Sequence, residues 1–86
     1  MQKVTDVRAL DPYVLEVTFA DGELRRVNVE PLLFGEMFEP LRDPAIFRTV
    51  TVDPELGTIV WPNGADLSPE FLYSEGIAPV SRPGRK

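Results

Sequence analysis

Tyr13-Val14-Leu15-Glu16-Val17-Thr18-Phe19-Ala20-Asp21-Gly22-Glu23-Leu24-Arg25-Arg26-Val27-Asn28-Val29 is the stretch that decides the fold. Along residues 13–20, Leu15, Val17 and Phe19 point one way while Val14, Glu16 and Thr18 point the other. That period of two belongs to a half-buried strand. Asp21-Gly22 is a turn pair that tolerates positive φ, so residues 23–29 return as the antiparallel partner. In that partner Val27 and Val29 share the inward face with Arg25, and Leu24 falls outward beside Arg26 and Asn28. Such a placement requires either a bulge near the turn or an outer face that is itself partly covered.

Upstream, residues 4–10 mix β-branched side chains with Asp6 and Arg8, the pattern of an edge strand. Pro12 keeps Asp11 out of the helical region and marks the turn into the hairpin. Downstream, the period changes. Pro31-Leu32-Leu33-Phe34-Gly35 fits one helical turn, with proline in its first turn and glycine as its stop. Residues 36–41 read as another turn or as extended chain. Asp43-Pro44 is an N-cap followed by proline at the first helical position. Helices this short persist only by burying Leu32, Leu33, Phe34, Phe38, Leu41, Ile46 and Phe47 against a sheet.

A second hairpin follows: residues 49–52, a turn at Asp53-Pro54-Glu55-Leu56-Gly57, and a return strand over 58–61 that Pro62 ends. Ser68 caps a last helix that Pro69 opens, with Phe71 and Leu72 facing inward. The expected class is α+β: a small, mostly antiparallel sheet of four or five strands, built of two hairpins with short helices packed on one face. Residues 1–75 form the single domain. Residues 76–86 form a basic, flexible C-terminal tail.

Composition narrows the chemistry. The chain has 86 residues, no cysteine and no histidine. Disulfides, thiolate metal sites, a cysteine nucleophile and the commonest general base are therefore all absent. No catalytic residue, metal site or cofactor is assigned, and carboxylates are the only acid–base equipment left. Asp53 with Glu55, and Glu36 with Glu39, are the pairs to consider. Both fall on segments expected to be exposed, and neither pattern is that of a calcium loop. The formal net charge is −5, with all fourteen acidic residues before residue 76 and three of the nine basic ones, Arg82, Arg85 and Lys86, after it. An acidic body repels a phosphate backbone, so direct nucleic-acid binding is not expected. No leader follows Lys3 and no run approaches the roughly 20 apolar residues of a membrane span, so a cytoplasmic setting without membrane insertion is the expectation.

Trp61-Pro62-Asn63-Gly64-Ala65-Asp66 is the most unusual cluster. Trp61 beside the Asn63 amide and the Asp66 carboxylate has the equipment to grip a ligand or a peptide edge. The same residues also make a core tryptophan followed by an Asn63-Gly64 turn, with Asp66 accepting backbone donors or starting the next helix. Turn and cap preferences favour this structural reading. A second candidate surface is apolar: Val14 and Leu24 on the outer sheet face, joined by Phe34 or Met37. A symmetric partner would cover it, making a homodimer the simplest outcome, with a different protein partner as the alternative.

Thr5-Asp6-Val7, Phe19-Ala20-Asp21-Gly22, Phe38-Glu39-Pro40-Leu41-Arg42-Asp43-Pro44 and above all Trp61-Pro62-Asn63-Gly64-Ala65-Asp66-Leu67 resemble the DUF2442 family, small bacterial proteins of unknown function. The resemblance spans residues 3–75. It implies a small α+β fold and carries no established activity. For similar proteins it implies an antitoxin-like role beside a small toxin protein. The function expected from residues and resemblance together is a non-catalytic interaction module, with a small carboxylate-based enzyme as the competing class.

Overall fold

A computed structural model describes residues 2–77. The opening hairpin is formed as its alternation predicts. Strands β1 (Val4–Leu10), β2 (Val14–Phe19) and β3 (Leu24–Asn28) make an antiparallel sheet in that order. Leu15 pairs with Val27 and Val17 with Arg25, so Leu15, Val17, Phe19 and Val27 lie on one buried face. A cis Asp11-Pro12 peptide lies in the turn between β1 and β2.

The remaining strands are β4 (Thr51–Asp53), β5 (Thr58–Val60) and β6 (Asp66–Leu67), again antiparallel in chain order. They form a sheet of their own. The α+β class with antiparallel hairpins is as expected, but the strands divide into two three-stranded sheets instead of one of four or five. A backbone bond links the start of β1 to the turn before β5. The Val4 N–H donates to the Gly57 carbonyl at 2.9 Å, next to a register shift in β1 between Val4 and Asp6.

The chain between the sheets is helical in short pieces. A 3-10 turn over Glu30–Leu32 leads to α1 (Gly35–Phe38), a second 3-10 turn over Glu39–Arg42, and α2 (Pro44–Phe47). Gly35 therefore opens a helix where a stop was expected, and residues 36–41 are helical. Asp43 caps α2 as anticipated, its Oδ1 accepting from the Ala45 N–H at 3.0 Å. Tertiary bonds hold these pieces. The Tyr13 hydroxyl donates to the Arg42 carbonyl at 2.6 Å, and Arg42 Nε donates to the Leu33 carbonyl at 2.7 Å. Leu33, Leu41 and Phe47 enter the core. Phe34 and Ile46 stay exposed, against expectation.

The last helix, α3 (Pro69–Glu75), starts at Ser68, whose hydroxyl accepts from the Phe71 N–H at 3.1 Å. It buries Leu72 and packs along β3. Asp66, expected to accept backbone donors or to start this helix, lies with Leu67 in β6 instead. Beyond α3 the chain turns back onto the sheet edge, where Arg26 and Ile77 exchange backbone bonds of 2.8 and 2.9 Å. Residues 76 and 77 of the expected tail thus sit against the sheet. Residues 78–86, with Arg82, Arg85 and Lys86, lie outside the described residues.

Candidate functional site

The turn after β5 is built by its sequence. Gly64 N–H donates to the Trp61 carbonyl and Trp61 N–H to the Ala65 carbonyl, both at 2.9 Å, with Gly64 at φ +96°. This is a three-residue loop closed by a glycine bulge, which wants proline second, asparagine third and glycine in the left-handed position. The first hairpin repeats it. Gly22 N–H donates to the Phe19 carbonyl and Phe19 N–H to the Glu23 carbonyl, at 2.9 Å each, with Gly22 at φ +90°. Asp21 Oδ1 accepts from the Glu23 N–H at 2.9 Å, and Asn63 Oδ1 accepts from the Ala65 N–H at 3.0 Å. The shared pattern, aromatic-x-Asx-Gly, was visible in the sequence and identifies the two turns as one device.

Trp61 is the floor of the second turn. It is 1% exposed, its indole N–H donates to the Phe47 carbonyl at 3.0 Å, and Phe38 meets its ring edge-on at 6.3 Å. A buried indole with its one donor satisfied is core. Its side chain offers no open face for gripping a ligand. Phe38 and Phe47, which support it, carried no signal beyond their apolar character.

Asn63 does what an aspartate in that position could not. While its oxygen closes the turn, its amide Nδ2 donates to the Met37 carbonyl at 2.8 Å. The turn is thereby clamped to α1, and the Met37 methyl comes to rest near Gly64. Phe34 precedes this helix and is 69% exposed; Met37 lies within it and is 45% exposed. Glu36 and Glu39 flank them, also exposed. Asp66 is exposed in β6, and its side chain makes no hydrogen bond or ion pair among the described residues.

The other members of the expected apolar surface lie elsewhere. On the outer face of the first sheet, Leu24 pairs with Thr18 at the turn end, whereas Val14 sits between Leu10 and Asn28 at the opposite end. Between them runs a charged row, Arg8–Glu16–Arg26, in direct cross-strand register. Arg26 Nε is 2.9 Å from Glu16 and Arg8 is 3.5 Å from it. The two arginines cover Glu16 until it is 9% exposed. Val14 and Leu24 are therefore not one apolar patch. Leu24 stays outward at 36% exposure in spite of the bulge at Gly22.

The carboxylate pairs have structural work or none. Asp53 Oδ1 accepts the Glu55 and Leu56 N–H groups at 2.9 and 3.2 Å, which fixes that turn. No group of three potential metal ligands exists among the described residues. A cleft of about 300 Å³ lies between β3 and α3, lined by Val27, Leu32, Phe71 and Ile77 with Arg26 and Glu75. Neither Asn63 nor Asp66 reaches it. Between Phe71 and Glu75 on α3, Tyr73 has the Arg25 guanidinium over its ring at 4.6 Å, and its hydroxyl donates to Asp21 at 3.2 Å. Desolvation raises the Tyr73 pKa above its ordinary value, and the neighbouring Asp21 carboxylate adds to the shift.

Residues 4–78 match the family model described as a protein of unknown function, DUF2442. The chain is a DUF2442 protein. No curated protein and no solved structure matches it. The DUF2442 match continues past α3 to the residues that pair with Arg26, beyond the span on which the sequence resemblance rests. No helix among the described residues is long and apolar enough to cross a membrane.

Proposed function

We propose that this DUF2442 protein is a non-catalytic protein-interaction module acting in the cytoplasm, with α1 and the Asn63-Gly64 turn as its contact surface. The observation that carries the proposal is the clamped presentation of Phe34 and Met37. Two large apolar side chains stand out to solvent, Phe34 at the N-terminus of a four-residue helix and Met37 within it, and the Asn63 amide holds that helix. Apolar groups held in place cost little ordering entropy when a partner covers them. Asn63 is committed to its turn and to the Met37 carbonyl, and the carboxylates beside it, Glu36, Glu39 and Asp66, are exposed, so this surface holds no buried acid–base couple to favour the enzyme reading. An antitoxin-like role is one case of such a module, with a small toxin protein as the partner. Self-association is another.

The test is capture by the immobilised protein from lysate of its native cell, compared with a Phe34→Ser/Met37→Gln variant and a Leu24→Asp control. Specific binding lost in the double variant and kept in the control supports the surface. Equal capture by all three proteins, with matched urea melts, sinks it. Sedimentation equilibrium of the same proteins reads self-association directly.

A further inference from the structure

Building on the interaction-module reading, we infer that the partner seated on the α1 surface is a basic protein segment with apolar anchors, and not a second copy of this chain. Charge at the surface carries the inference. From Glu30 to Leu41 the chain holds three carboxylates, Glu30, Glu36 and Glu39, and no lysine or arginine. The first basic residue after them is Arg42, a single positive charge against three carboxylates, its Nε donating to the Leu33 carbonyl. Asp66 adds a carboxylate two residues beyond Gly64, near which the Met37 methyl rests. The other described arginines are engaged away from α1: Arg8 and Arg26 on Glu16, Arg25 on Glu23, and Arg48 at 4.0 Å from Asp11.

A twofold dimer sets a surface against itself, so across the contact Glu36 and Glu39 would meet the same patch, which carries no lysine or arginine between Glu30 and Leu41. Like charges in juxtaposition are costly and favour wrong-partner rejection. A basic segment reverses the sign of every one of those contacts while its apolar residues cover Phe34 and Met37. The same electrostatics accelerates encounter at low salt.

The test uses the full chain and three synthetic 14-residue peptides: one of leucine and lysine, one of leucine and glutamate with the same leucine positions, and one of serine and lysine. Amide chemical shifts map the binding site, and titrations give the affinity. The leucine–lysine peptide should shift the amides of residues 34–39 and 63–66. Its affinity should fall at least ~5-fold in Glu36→Lys/Glu39→Lys, in line with the loss of two exposed charge pairs. Glu55→Lys/Glu70→Lys carries the same change in net charge and should retain binding at this site. Equal weakening by both charge variants would reduce the effect to net charge and overturn the inference. If the leucine–glutamate peptide binds at residues 34–39 as well as the leucine–lysine one does, the interaction surface stands and its basic partner falls. If no peptide shifts these amides, both fall. A dimer by sedimentation that Phe34→Ser/Met37→Gln dissolves would overturn the inference in favour of a second copy.

Discussion

Exchanging Asn63 for aspartate separates the two bonds that this side chain makes. The acceptor role survives, because Asp21 fills it in the first hairpin with nearly the same distance, 2.9 Å against 3.0 Å. The donor role does not. The atom 2.8 Å from the Met37 carbonyl changes from N–H₂ to a carboxylate oxygen, and two acceptors face each other. An intramolecular hydrogen bond contributes a net ~1 kcal/mol, and a carboxylate at the exposed surface of the turn can swing toward water to relieve much of the repulsion. The expected loss for Asn63→Asp is therefore ~1 kcal/mol. Asn63→Ala removes the turn acceptor as well and should cost ~2 kcal/mol. For a domain of this size ~1 kcal/mol corresponds to a fall of roughly 4–8 °C in Tm. Urea melts followed by the fluorescence of the single tryptophan report the global change. Hydrogen exchange at the Glu39 amide, bonded to the Gly35 carbonyl, reports the clamp locally. An aspartate variant within ~0.3 kcal/mol of the parent, with unchanged exchange at Glu39, would show that no clamp operates. Identical losses for the two variants would show that the turn cannot keep its acceptor, and the comparison with Asp21 would fail.

Trp61→Ala should cost ~3–5 kcal/mol in the same melts, enough to unfold a marginal domain, and a change below ~1 kcal/mol would place the indole at the surface. Gly76→Ala should destabilise by ~1–3 kcal/mol, since an added methyl would lie 2.6 Å from the Arg25 Cβ and 2.7 Å from the Leu72 carbonyl and push α3 off β3. Full stability of that variant would mean that the helix is not seated so closely. The Tyr73 phenol, raised by desolvation and by Asp21, should ionise above the ordinary tyrosine value of about 10. A raised acid favours the folded state below its unfolded pKa, so this contribution is lost as pH rises from about 10 through the folded value. Ultraviolet titration of a Tyr13→Phe background should show the shift, and Asp21→Asn should reduce it; ionisation at or below the ordinary value would refute the reading.

Local chemistry made much of this fold readable in the chain. The alternation of Leu15, Val17 and Phe19, the Gly22 and Gly64 turns, and the caps at Asp43 and Ser68 are all near-neighbour effects, and each stands where the residues put it. The outward position of Leu24 follows from the same period of two. Local rules could not decide which surplus apolar residues stay wet. Phe34 looks as buriable as Leu33, yet the Arg42 bond to the Leu33 carbonyl and the Asn63 bond to that of Met37 orient this segment with Phe34 outward. Nor could they show that Val14 and Leu24 are kept apart, because Glu16 acquires its two arginines only when β1 and β3 flank it. The division into two sheets was likewise not legible in any one segment, since it rests on how hairpins distant in the chain meet, as at Val4 and Gly57. What the sequence by itself determined is therefore the first five strands, their hairpin turns and the caps, since neighbours along the chain supply their energetics. Which of the named candidates form one surface was decided by tertiary structure, because contacts between distant segments choose which side chains the core leaves out.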